Sequence, residues 1–377
     1  MHLLLFFTHD TSLRAWERSG MLEREVALYR KYIEKGMRVS FITYGRRDKQ
    51  RYSKKLQGID IHCNEFRLPL GLYTRLIPFL HGKVLRQSDV IKSNQTPGAL
   101  AALAAARRYG KPMLARCGYM HSEFIANQHG ADSPQARQAL DDERQLFGKA
   151  DAIEVTTPMM RDSIVERIPA SAAKITVTPN YVDTETFAPR AAEKEFDLLF
   201  IGRLNPQKNL ESLLDALRGL KLKSVIIGSG PLENVLKEKA RAVDLDINWK
   251  GNLPNTELPE YLNRSKIFIL PSHYEGHPKT LIEAMAAGAA VIGTNVPGIR
   301  EVVRPGENGW LCEPNVESIR SAIESLAVDP EKRQQLGNNA RSFILENYAL
   351  DRIVSMEEQI LTTMIHRSNS NTQQMRT

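Results

Sequence analysis

Short apolar, β-rich runs alternate with helix-compatible stretches along all 377 residues, and this alternation restricts the fold more than any other feature. In the first half, His2–Thr8, Arg38–Tyr44, Ile59–Cys63, Asp89–Lys92, Pro112–Cys117, Ala152–Thr156 and Ile175–Thr178 have strand length and composition. Met21–Lys35, Pro97–Tyr109 and Ala136–Lys149 read as helices between them, and Gly36 stops the first. In the second half, Asp197–Ile201, Ser224–Ile227, Ile247–Trp249, Ile267–Leu270, Ala290–Gly293 and Trp310–Cys312 repeat the arrangement. Strands that alternate with helices form parallel βα units. The stretch Asp183–Glu195, with Pro189 inside a charged, Ala-rich patch, reads as a linker. The expectation is two α/β halves meeting at a cleft, with a ligand outside the carboxyl ends of the strands.

Composition excludes several classes. A content of 42% hydrophobic and 25% charged residues is that of a globular chain. No apolar run approaches the ~20 residues of a membrane-crossing helix. Met1–Phe7 lacks the basic flank and the apolar length of a signal peptide, and reads as a first strand. Cys63, Cys117 and Cys312 are far apart with no CxxC, so neither a zinc cluster nor a disulfide frame is indicated, and a reducing cytoplasm is the default compartment. The net charge of +7 is uneven. The first hundred residues hold 18 Lys and Arg against 9 Asp and Glu, and the rest 33 against 35. The densest part is Arg46-Arg47-Asp48-Lys49-Gln50-Arg51 with Lys54-Lys55. It is either a solvated loop or a surface for anionic lipid, nucleic acid or a phosphorylated acceptor.

Two loops carry candidate chemistry. Ser272–Gly288, SHYEGHPKTLIEAMAAG, follows the Ile267–Leu270 run as strand, polar turn and helix. A helix N-terminus presents unpaired N–H groups and the positive end of a dipole, which suits an anion at Thr280. Glu275 and Glu283 bracket this turn with seven residues between them, either facing a ligand there or lying as a solvated loop acid and a surface helix acid. Gly202-Arg203-Leu204-Asn205-Pro206-Gln207-Lys208-Asn209 ends the first strand of the second half. Its glycine lets a ligand approach the backbone, Arg203 offers a planar donor fork, Lys208 a compact charge, and Asn209 a cap for the next helix. Ile226-Ile227-Gly228-Ser229-Gly230-Pro231 has Glu233 in place of the third glycine of a dinucleotide fingerprint, and reads as a tight strand-to-helix turn. No GxxxxGK[ST] occurs. Asp244-Leu245-Asp246 precedes a strand rather than following one, and reads as a solvated turn rather than a metal site.

Taken together, these elements resemble the family 4 retaining glycosyltransferases of GT-B fold. The likeness rests on Gly202-Arg203…Lys208, on Gly228-Ser229-Gly230-Pro231-Leu232, and on Glu275…Glu283 followed by Ala284-Met285-Ala286-Ala287-Gly288. Asn295–Glu301 and Gly306-Glu307-Asn308-Gly309 extend it. In the first half, Ser19-Gly20 stands where the family often has Gly-Gly, and Asn180-Tyr181-Val182-Asp183 where it has Asn-Gly-Val-Asp. The resemblance implies two Rossmann-like domains, residues 1–187 on the acceptor side and 188–349 on the nucleotide-sugar side. It also implies a helix over about 350–365 crossing back to the first domain, before a polar, frayed tail at 366–377.

Site roles follow from the resemblance. Arg203 and Lys208 would hold the donor diphosphate, with Gly202 and Gly20 allowing close approach. Glu283 would accept from the ribose hydroxyls, and Glu275 would contact the donor sugar. The stretch Gly276, His277, Pro278, Lys279, Thr280 and Leu281 would lie at the sugar and phosphates. His121 is the nearest match to the family's His after the strand at Met113–Arg116, or else a surface His. The implied donor is a UDP- or GDP-linked sugar, with no metal and no other cofactor. The implied acceptor is a glycan or lipid-linked hydroxyl, with an anionic membrane surface as a further partner and no nucleic acid. The enzyme would act in the cytoplasm or on the inner face of the membrane. An epimerase or hydrolase of the same fold, and a binding protein without turnover, are the alternatives. An NAD-dependent dehydrogenase is disfavoured by the missing fingerprint.

Overall fold

The computed structural model describes residues 1–374. They form two compact units, one of Met1–Glu17, Glu25–Pro179 and the residues from Ile353 onward, the other of Arg18–Arg24 and Asn180–Arg352. The first unit is built on β1 (His2–Phe6), β2 (Arg38–Ile42), β3 (Ile59–His62), β4 (Val90–Ser93), β5 (Met113–Cys117), β6 (Ala152–Val155) and β7 (Ile175–Val177). The second is built on β8 (Phe196–Ile201), β9 (Ser224–Ile227), β10 (Ile247–Gly251), β11 (Ser265–Leu270), β12 (Ala290–Thr294) and β13 (Trp310–Cys312). All thirteen lie within two residues of the expected runs. Every pairing is parallel, in the orders β3-β2-β1-β4-β5-β6-β7 and β10-β9-β8-β11-β12-β13.

Parallel sheets of this kind are covered on both faces, which is why their strands are apolar throughout rather than alternating. Leu3, Leu4 and Leu5 of β1 are all buried, as are Leu198, Leu199 and Phe200 of β8. In each sheet the chain winds outward in one direction and then in the other. The reversal places β1 beside β4 in the first unit and β8 beside β11 in the second. Loops leaving the carboxyl ends of such a pair diverge to opposite faces and open a crevice.

The chain passes into the second unit at Asn180, before the expected boundary after residue 187. Asn180 Nδ2 donates to the His277 carbonyl at 2.6 Å, the Val182 N–H to the Tyr348 carbonyl at 3.0 Å, and Phe187 sits in the core of that unit. The last helix is Leu350–Gln374. The tail expected to fray from residue 366 is therefore helical through Gln374. It contains no Gly or Pro to stop the helix, and Ser370 Oγ bonds back to the His366 carbonyl at 3.0 Å. Polarity there marks solvent exposure, not loss of structure. Residues 375–377 lie outside the described residues.

From Ile353 on, this helix belongs to the first unit, where a buried ionic cluster fastens it. Lys92 of β4 pairs with Glu357 of the helix and lies 3.3 Å from Glu154 of β6. Arg116 of β5 is 3.6 Å from Glu154, and the Tyr32 hydroxyl is buried beside Glu357. Burial and the neighbouring Glu357 push Glu154 above the ordinary carboxylate range, against the pull of Lys92 and Arg116. Burial also acts on Glu357, but Lys92 and its hydrogen bonds outweigh it and hold it below that range. The two carboxyls are thus driven apart, Glu154 towards its protonated form and Glu357 towards its charged form. The stability contributed by Glu357 is present above the ordinary carboxylate range and lost as pH falls through its lowered value. That of Glu154 is present below the range and lost as pH rises through its raised value. At pH 7, Glu154→Gln should change unfolding stability by under ~1 kcal/mol, whereas Glu357→Gln, which strips a buried lysine of its counter-ion, should cost ~3 kcal/mol. Urea unfolding of the two variants checks this, and equal losses would mean that both carboxyls are ionised.

Candidate active site

The second unit assembles the candidate residues at the carboxyl ends of β8 and β11. β8 runs into Gly202, whose N–H donates to the Ile227 carbonyl at 3.0 Å, and Leu204 follows with a bond to the Ser229 carbonyl at 2.9 Å. The loop leaving β8 is thereby laced to the Gly228–Gly230 turn leaving β9. Gly228 has φ +136°, and a Cβ there would stand 1.9 Å from the Gly202 carbonyl oxygen, so only glycine lets the two turns touch. Pro206–Lys208 makes one 3₁₀ turn. Asn209 does not cap the next helix as expected. It adopts a left-handed backbone (φ 54°), and its Nδ2 donates instead to the Pro314 carbonyl at 3.2 Å.

The loop after β11 docks on that turn. The His273 N–H donates to the Gln207 carbonyl at 2.8 Å, and Gln207 Nε2 to the Tyr274 carbonyl at 2.8 Å. Lys208 Nζ pairs with Glu275 Oε1, which also accepts from Ser272 Oγ at 2.7 Å. Arg203 beside them is exposed. Sequence spacing puts Lys208 and Glu275 in separate loops; the structure makes them partners. The chain then turns through Gly276, the buried His277 and Pro278 into the helix Lys279–Ala286, whose N-terminus has no side-chain cap among the described residues. Thr280 stands in its first turn, and Leu281 faces the core.

Glu283, one turn further on, is 2% exposed, so it is no surface helix acid. Its Oε1 accepts from Asn255 Nδ2 at 2.9 Å and lies 3.4 Å from Arg24 Nη1. Its Oε2 is buried without a hydrogen-bond partner among the described residues. A buried carboxylate oxygen of this kind suits a hydroxyl donor from a ligand. Burial raises the Glu283 carboxyl above its ordinary range, opposed by Arg24, Asn255 and Lys279. Arg24 and Asn255 escape a reading of the sequence, because neither belongs to a motif and each is remote from Glu283 along the chain.

Gly20 belongs to the same unit. It has φ +74°, and a Cβ would come 2.1 Å from the Leu253 carbonyl oxygen, while its own carbonyl accepts from the Asn255 N–H at 2.8 Å. Gly20 therefore brings the Arg18–Arg24 segment onto the loop that carries Asn255. Tyr181, in place of the family's glycine, is not in the left-handed region. Its hydroxyl donates to the Arg24 carbonyl at 2.9 Å, and Lys279 Nζ lies 5.5 Å from the centre of its ring.

His121 lies in the first unit, opening the helix His121–His129 beyond β5. The next residue, Ser122, is fixed by the buried Glu143, which accepts from its N–H at 3.0 Å and its Oγ at 2.6 Å. Burial lowers the His121 imidazole below its usual value, against the pull of Asp142. Asp244 and Asp246 are exposed in a turn ahead of β10, and no cluster of three or more His, Cys, Asp or Glu able to hold a metal occurs among the described residues. Cys63, Cys117 and Cys312 are buried and free. No helix among the described residues is long and apolar enough to cross a membrane.

Two family models match overlapping parts of the chain. The family model for glycosyl transferases group 1 matches residues 147–343, and that for Glycosyltransferase Family 4 matches residues 25–186. Glycogen synthase of Mycobacterium tuberculosis is 28% identical over 284 residues, covering 72% of this chain and 68% of that protein. The putative colanic acid biosynthesis glycosyltransferase WcaL of Salmonella typhimurium is 26% identical, covering 67% of each. Among solved structures, sucrose-phosphate synthase from Thermosynechococcus elongatus superposes with a TM-score of 0.80 at 18% identity, over 97% of this chain and all of that one. Anabaena HepE in complex with UDP and glucose superposes with 0.76 at 16% identity, over 96% and 100%. At those identities the likeness concerns fold alone, and the fold is GT-B.

The raised Glu283 carboxyl has a consequence for stability. Its contribution is full below the ordinary carboxylate range, about pH 4, and declines as pH rises through the raised value. Glu283→Gln should remove that decline, so that its unfolding free energy falls less than the wild type's between about pH 4 and neutrality. Urea unfolding across that range checks it, and parallel curves would mean the carboxyl titrates normally.

Proposed function

This chain belongs to the glycosyl transferases group 1, and on that footing we propose that it is a retaining transferase. It moves a sugar from a UDP- or GDP-linked donor to a hydroxyl of a glycan or lipid-linked acceptor. One observation carries this most directly. The loop after β8 carries two cations, Arg203 and Lys208, and the loop after the neighbouring β11, paired to it through Lys208 and Glu275, leads into an uncapped helix that holds Glu283 with an oxygen lacking a hydrogen-bond partner among the described residues. Cations and helix N–H groups match a diphosphate, and the open carboxylate oxygen matches ribose hydroxyls.

In the reaction, the bond from the sugar's anomeric carbon to the phosphate oxygen breaks, and its electrons stay on the diphosphate. Lys208, Arg203 and the N–H groups of the Lys279 turn meet that charge, which lowers the barrier without calling on a metal. The acceptor oxygen bonds to the same face of the anomeric carbon, and its proton passes to the departing phosphate oxygen. No base from the chain is required. Lys208 already rests against Glu275, so an arriving diphosphate competes for it, and the released Glu275 is then available to the hydroxyls of the sugar. A catalytic role for His121 rests on the resemblance to the family alone. A role in cell-surface polysaccharide or glycolipid synthesis follows the naming of WcaL, and a cytoplasmic, membrane-peripheral location follows the exposed basic run Arg46–Lys55.

Screening UDP- and GDP-sugars for thermal stabilisation, and then for transfer, identifies the donor. Lys208→Ala should cut nucleotide release by ~10²-fold or more and weaken the nucleotide-induced stabilisation. Near-normal turnover by the variant would overturn the phosphate role. Donor turnover by wild type at full rate with no acceptor present would point instead to an epimerase or hydrolase.

A further inference from the structure

The helix Leu70–Leu80, LGLYTRLIPFL, has only Thr74 and Arg75 as strongly polar side chains. Its inner face packs Tyr73, Ile77 and Pro78 into the first unit. A surface helix of a soluble protein needs one apolar stripe, and its other face is normally polar. Here the outer face is apolar as well. Leu72 is 46% exposed and Phe79 60%, and they stand two helical turns apart on one side, while Phe66 in the preceding turn is 71% exposed. Three of the eight strongly exposed large apolar side chains of the described residues thus fall between residues 66 and 79.

The charge around them is predominantly positive. From Phe66 to Ser88 the chain has no Asp or Glu, and it has Arg67, Arg75, Lys83 and Arg86, all exposed. The Arg108 guanidinium adds to this, 4.3 Å from the centre of the Phe79 ring. Lys49, in the basic run Arg46–Lys55, lies 3.2 Å from Glu65, which joins that run to the patch.

We propose that the outer face of the helix Leu70–Leu80, with Phe66, is a membrane-inserting surface for an anionic phospholipid bilayer. A bilayer offers negative headgroups outside and hydrocarbon beneath them, which matches exposed Phe and Leu interleaved with long cationic side chains that reach back to the headgroups. A second copy of the chain is a poor fit, since a two-fold contact would set this cationic patch against itself. The inference rests on the membrane location in the proposed function and not on glycosyl transfer.

The test is flotation of the full chain with vesicles of phosphatidylglycerol and phosphatidylcholine, against vesicles of phosphatidylcholine alone. Wild type should float with the anionic vesicles, and a fraction should persist at about 1 M salt, where charge attraction is screened within about 3 Å. Leu72→Ser/Phe79→Ser should keep its thermal midpoint and its stabilisation by UDP or GDP. It should float about tenfold less and lose the salt-resistant fraction. Phe79→Trp should shift its emission to the blue when anionic vesicles are added. Three results would overturn the proposal: equal flotation by the double variant, no flotation of wild type, or lipid-free self-association that the double variant abolishes. Flotation as expected from a chain that turns over no nucleotide sugar would leave the surface in place and remove the transfer reading alone.

Discussion

Everything in the candidate site depends on β8 and β11 lying side by side. They are neighbours because the second sheet changes its direction of winding between them. A parallel strand must hand its chain to a crossover, and crossovers that leave in opposite directions cannot cover the same spot. The loops that begin at Gly202 and Pro271 therefore lie side by side and brace one another. Gly228 presses on Gly202, Gln207 holds the Tyr274 carbonyl, and Lys208 and Glu275 close the pair.

The protein buries charge in two ways, and the contrast separates structure from function. In the first unit, Lys92, Arg116, Glu154 and Glu357 answer one another inside the fold, and the cluster secures the last helix to three strands. In the second unit, Glu283 is just as buried; its Oε1 is answered by Asn255 and Arg24, while its Oε2, like Glu154 Oε2, has no hydrogen-bond partner among the described residues, and Glu154 Oε2 alone of the two has cations, Lys92 and Arg116, within 3.6 Å of it. Leaving a buried carboxylate oxygen open is costly unless something outside the fold completes it.

Much of this was legible beforehand for physical reasons. Strands covered on both faces are apolar along their whole length, so all thirteen stand out as short apolar runs separated by helices. Glu275 and Glu283 stand out because the strand–turn–helix around them is continuous in the chain. Readings that required knowing what lies opposite a residue fared differently. Asn209 has the chemistry of a cap, but the Pro314 carbonyl takes its amide. The polar tail has the composition of a frayed end, but nothing in it breaks a helix. The passage at Asn180 rather than after residue 187 depends on bonds to His277 and Tyr348, far along the chain.

The sequence by itself determined two parallel α/β units, the family, and the loops in which the candidate cations and acids reside. Local periodicity and contiguous motifs are enough for that, since each strand, turn and helix is specified by its own residues. Only the tertiary structure decided that Lys208 and Glu275 are partners, that Gly20 and Arg24 belong with Asn255 and Glu283, and that one oxygen of Glu283 is left open. Those facts follow from the crossing of distant loops at the carboxyl ends of the strands, and no stretch of contiguous sequence contains both sides of such a contact.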